Sequence, residues 1–73
     1  MNKYYITFGQ EHIHRHNDII LDKDCVGVIK ANSYDEMRWL AFEWFGDKFA
    51  TTYTVEDFGD AIKYFPRGFI KLN

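Results

Sequence analysis

The chain has one cysteine, one proline, no long apolar run and no marked excess of either charge. A lone Cys25 excludes an internal disulfide, so the fold must hold by packing alone, and a reducing compartment, the cytoplasm, fits best. No stretch approaches the ~18 uninterrupted apolar residues of a membrane helix. The opening segment MNKYYITF has one lysine but neither the apolar core nor the small-residue cleavage site of an export signal. Nine Lys plus Arg against eleven Asp plus Glu give a net charge of −2, with the signs interspersed. That balance lacks the basic footprint of nonspecific nucleic-acid binding, and a nucleic-acid partner is not expected. With 73 residues there is no length for a second core, so one domain over residues 1–73 is expected.

What the chain does have is rings. Aromatics make up 19% of it, seven Phe, five Tyr and two Trp, and each buries on the order of 150–250 Å² in a core. They fall in readable patterns. From Lys3 to Phe8, Tyr4, Ile6 and Phe8 alternate with Lys3, Tyr5 and Thr7, a strand with one buried face. Residues 11–24 form a polar connection carrying Ile19-Ile20-Leu21, a short strand or a packed loop. Cys25 to Ala31 is β-branched and apolar on both phases, which marks a central strand. Ser33 followed by Glu36 is a capping box, and Met37, Leu40, Ala41, Trp44 and Phe45 then make one stripe at helical spacing, closed by Gly46. A main helix over 33–46 follows. Residues 48–53 read as a third strand with Phe49, Thr51 and Tyr53 on one face. Thr54 and Asp57 cap a short helix over 55–63, weakened by Gly59. Residues 64–68 form a turn around Pro66, and 69–72 a fourth strand.

This order predicts an α+β fold: about four strands in a mixed or antiparallel sheet, with the main helix on one face and the other face thinly covered. An open sheet of this size leaves edge strands through which two copies could pair as a homodimer.

Three features could carry function. His12, His14 and His16 alternate, so an extended backbone places all three imidazoles on one side. Imidazole suits zinc, copper or nickel, but alternate strand positions lie about 7 Å apart, too far for easy convergence on one ion. The alternatives are exposed hairpin histidines or a surface patch titrating near neutral pH. Trp39 and Phe42 fall off the main stripe. Trp39 sits about 200° around the helix from Met37, among Asp35, Arg38 and Glu43. Either residues 11–24 fold over it, or it is an exposed ring of the kind enriched at binding hot spots. Cys25 could be a nucleophile only with a base and a lowered pKa, and at the start of an apolar strand a buried, inert thiol is the commoner outcome. The paired carboxylates Asp35-Glu36 and Glu56-Asp57 sit at helix starts, where they complement the macrodipole. The sheet aromatics Tyr4, Tyr5, Phe8, Phe49, Tyr53 and Phe69 would serve a single-strand nucleic-acid binder only inside an electropositive surround.

The segments Tyr4-Tyr5-Ile6-Thr7-Phe8-Gly9-Gln10 with His12 and His14, Phe45-Gly46-Asp47-Lys48-Phe49, and Tyr64-Phe65-Pro66-Arg67-Gly68 carry a resemblance. The chain looks like short accessory proteins of bacteriophages and prophages, and the likeness spans nearly its whole length. It implies a viral protein acting in the host cytoplasm by binding a host or phage protein, antiviral defence components included. It brings no catalytic residues, but it points to Gly9, Gln10, His12 and His14 as a shared surface. The expectation is therefore a noncatalytic binding protein without cofactor or resident metal, using Trp39, Phe42, Gln10, His12, His14 and His16. The alternatives are a metal-binding protein or enzyme built on the three histidines, and a nucleic-acid-binding module.

Overall fold

The computed structural model describes all residues, Met1–Asn73. In chain order the elements are β1 (Asn2–Thr7), β2 (His14–His16), β3 (Ile19–Leu21), β4 (Cys25–Ala31), α1 (Tyr34–Phe45), β5 (Thr51–Thr54), α2 (Val55–Phe58), a 3-10 helix (Ala61–Tyr64) and β6 (Gly68–Lys71). The main sheet has the order β5-β1-β4-β6. β1 pairs antiparallel with β4 and with β5, while β6 runs parallel to β4. The fold is α+β with a mixed four-stranded sheet, as expected. A second, two-stranded sheet of β2 and β3 lies outside that expectation. It forms because Asn17 and Asp18 both take positive φ, 51° and 65°, in a two-residue hairpin turn. Asn and Asp tolerate this left-handed geometry better than other L residues.

The connections explain how the sheet is covered. From β4 the chain crosses one face as α1 and returns to β5, beyond β1. From β5 it crosses the opposite face as α2 and the 3-10 helix to reach β6, beyond β4. On the α1 face, Tyr4, Ile6, Phe8, Cys25, Ile29, Ala31 and Leu72 meet Met37, Ala41, Phe45 and Leu21 in the larger core. On the other face Tyr5, Val26, Val28 and Phe58 form a second cluster, joined by Tyr53, Ile62 and Phe65.

Two expectations change here. β1 is buried on both faces from Tyr4 to Thr7 rather than on one, because Tyr5 packs edge-on against Phe58 at 4.9 Å. The second face is therefore half covered. Nor do Phe49 and Tyr53 share a face: Phe49 precedes β5 and packs on the larger core, whereas Tyr53 stands opposite Tyr5 and packs on the smaller.

Local signals set the element ends. The Ser33 hydroxyl accepts from Glu36 N–H at 3.1 Å, the Glu36 carboxylate accepts from Asn32 N–H at 3.0 Å, and Gly46 closes α1 at φ 62°. The expected helix over 55–63 instead breaks in two, since Gly59 takes φ 58° and caps α2 after a single turn. Gly27 lies in central β4, where a Cβ would come within 2.6 Å of Leu72 and 2.8 Å of Ile6. The close approach of the Ile6 side chain from β1 and the Leu72 side chain just past β6 requires its bare backbone.

Candidate functional site

The histidine hairpin and the outer surface of α1 are the two regions singled out by sequence. The hairpin alternates as expected, with His12, His14 and His16 half-buried and Ile13 and Arg15 exposed. Its orientation is unusual: the His14 and His16 imidazoles face the protein while Ile13 is 69% exposed. The reason is what the rings meet. His14 packs against Phe45 and Phe8 at centroid distances of 4.8 and 5.9 Å, and His16 against Trp44 and Phe45 at 4.8 and 5.7 Å. Their Nε2 atoms reach backbone carbonyls in two distant segments, Lys48 for His14 and Leu72, at 2.9 Å, for His16. Asn17 Nδ2 donates to the same Leu72 carbonyl at 3.3 Å. His14 and His16 thus each supply both a flat apolar face and a polar edge, which an aliphatic side chain could not. No three His, Cys, Asp or Glu side chains come together as a metal ion requires. Gln10 lies exposed in the turn after β1, apart from these contacts.

The hairpin is anchored at its far end by Arg67. Its guanidinium donates to the Ile20 carbonyl at 2.7 Å and pairs with Asp22 at 3.1 Å. The Asp22 carboxylate also accepts from Asp24 N–H at 3.0 Å. That backbone hydrogen bond, with the Arg67 contact, holds its pKa below the ordinary carboxylate value. Cys25 beside it is fully buried, and burial pushes its thiol pKa up. The thiol is held neutral, contacting the backbone of Asp22, which is the opposite of a nucleophile's environment.

The outer surface of α1 is different. Residues 11–24 fold over the end of the helix that carries Trp44 and Phe45, not over Trp39, which stays 62% exposed. Phe42 is 46% exposed and packs edge-on against Phe49 at 5.4 Å. The Arg38 guanidinium lies over Phe42 at 5.2 Å and Phe49 at 5.9 Å, and donates to Thr52 Oγ1 at 3.2 Å. Tyr34, one turn earlier, shares that Thr52 hydroxyl at 3.2 Å. The outcome is an exposed aromatic surface stiffened by one arginine. Phe49 and Arg38 belong to it but were not among the expected site residues. Arg38 sits at i+4 from Tyr34 and i−4 from Phe42, a spacing that foretells such a row on a helix.

No protein-family model, curated protein or solved structure matches the chain.

Proposed function

We propose that this chain is a noncatalytic binding domain that docks a partner protein through the outer surface of α1, with Trp39 as the anchor and Phe42, Arg38 and Phe49 around it. The observation that carries the reading is Trp39, the most exposed ring of α1 at 62%, against 44% for Tyr34 and 46% for Phe42, while Trp44 and Phe45 pack on the larger core. Tryptophan and arginine are the side chains most enriched among interface residues that dominate binding energy. Arg38 is already held by its cation–π contacts and by Thr52, so docking would cost little side-chain entropy. The resemblance to phage accessory proteins adds the class of partner: a host or phage protein in the cytoplasm, antiviral defence components among them. Gln10, on the exposed turn after β1, and His12 belong to the surface that resemblance suggests. His14 and His16 act in this reading as supports of the hairpin.

The test is affinity capture from a bacterial lysate, comparing wild type with Trp39→Ala and Phe42→Ala. A partner retained by wild type and lost by Trp39→Ala, with unchanged melting of the variant, supports the proposal. The same partners on both, or none on wild type, would remove it.

A further inference from the structure

The second sheet face is covered only in part, and the geometry of the crossing says where the gap lies. The chain leaves β5 beside Tyr4, the partner of Thr54, and enters β6 at Gly68 beside Cys25, at the opposite end of β4. The α2 and 3-10 crossing is therefore diagonal, and it leaves open the corner where β1 begins and β4 and β6 end. Three lysines stand there. Lys3 and Lys30 are direct partners across the antiparallel β1–β4 ladder, and Lys71 pairs with Val28 on the next strand. All three alternate with core residues and so share this face. They border a cavity of about 300 Å³ whose remaining walls are Tyr5, Val28 and Phe69.

Lysines at sheet margins often serve only to discourage edge pairing. That explanation fits poorly here, because Lys3 and Lys30 lie on the two central strands. Like charges directly opposite one another in a ladder destabilise it. None of the three makes an ion pair, and no carboxylate lines the cavity. Glu56 borders a separate hollow that it shares with Lys3, without pairing with it. The backbone at Lys30 is held on both sides by Asn73, whose amide oxygen accepts from Lys30 N–H at 2.8 Å and whose nitrogen donates to Lys30 C=O at 2.9 Å. The floor is aromatic: Phe69, 46% exposed, lies tilted by 30° against Tyr5 at 4.7 Å.

We infer that this corner binds the phosphate of a nucleotide, with Lys3, Lys30 and Lys71 around the phosphate and Phe69 offering its face to the base. Three uncompensated ammonium groups supply the charge complement of a phosphate, the ring supplies a stacking platform, and the volume is at the small end for a ligand site. The net charge of −2 conceals this corner because the acidic residues lie elsewhere.

The probes are AMP, adenosine, inorganic phosphate and an oligothymidylate, each titrated into the ¹⁵N-labelled protein and followed by amide shifts. AMP is expected to shift the amides of residues 3, 5, 28, 30, 69 and 71, and adenosine to bind much more weakly. Lys30→Gln should weaken AMP about tenfold, and Lys71→Gln, on an exposed side chain, provides a second variant. Phe69→Ala should weaken AMP more than inorganic phosphate. If the natural source is a single strand, the oligothymidylate will bind more tightly than AMP, with a log–log salt slope of about −2 for three phosphate contacts. If it is a free nucleotide, AMP will bind at least as well. Absence of shifts with both AMP and the oligothymidylate overturns the inference, as do equal binding of adenosine and AMP or binding unchanged in both lysine variants.

Discussion

Trp39 and Trp44 lie five residues apart on one helix and have opposite surroundings. Trp44 is half-buried, its indole 4.8 Å from the His16 ring and packed on the larger core. Trp39 is mostly in solvent. The difference comes from the hairpin of β2 and β3. Its turn and its Arg67–Asp22 anchor commit it to the end of α1 that carries Trp44, and it is too short to reach further. One tryptophan is thereby structural, and the other is left available for contact.

Removing Trp44 is the strongest way to test that division. Trp44→Ala should destabilise the domain by on the order of 3 kcal/mol, the low end for large aromatic truncations because the ring is not fully enclosed. Denaturant unfolding would measure it, and a loss within 0.5 kcal/mol, about the scatter of surface substitutions, would mean that the hairpin does not rest on this ring. His16→Ala comes next. It strands the Leu72 carbonyl with only Asn17 as donor and should cost about 1–2 kcal/mol, which in a domain of this length lowers Tm by roughly 4–8 °C per kcal/mol. Adding zinc or EDTA should leave the wild-type Tm where it is. A chelator-induced drop would restore the metal reading of the three histidines.

Much of this division was legible in the sequence, and the failures are instructive. The α1 boundaries followed from Ser33, Glu36 and Gly46, because caps are local hydrogen-bond chemistry. The central position of β4 followed from its apolar residues on both phases. The off-stripe placement of Trp39 and Phe42 followed from helical arithmetic alone. What could not be read was which part of α1 the 11–24 segment covers, since that depends on the Asn17-Asp18 turn and on Arg67 meeting Ile20 and Asp22 across 47 and 45 positions of chain. The inward histidines were hidden because alternation gives a shared side but not which side, and Ile13 is the better apolar candidate by composition. The lysine corner was hidden for the same reason: Lys3, Lys30 and Lys71 become neighbours only once the strand register is known.

A smaller effect concerns the hairpin anchor. The Asp22 pKa lies below its ordinary value in the folded protein, so its contacts add stability above about pH 4. That contribution is lost as the pH falls from there through the folded value. In urea melts at stepped pH, the advantage of wild type over Asp22→Asn should shrink below pH ~4; a gap that stays constant would show that the charge of Asp22 contributes nothing. The smallest expected change in stability is that of Trp39→Ala, within about 0.5 kcal/mol of wild type, although its effect on partner capture should be the largest of all.

The most direct measurement is acrylamide quenching of tryptophan fluorescence in two single-tryptophan variants, Trp44→Phe and Trp39→Phe. With Trp39 as the sole emitter, emission should lie to the red and quench readily; with Trp44 as the sole emitter, it should lie to the blue and be protected by the hairpin. The reverse order, or equal protection of both, would contradict the claim that the hairpin shelters one tryptophan and leaves the other free to bind.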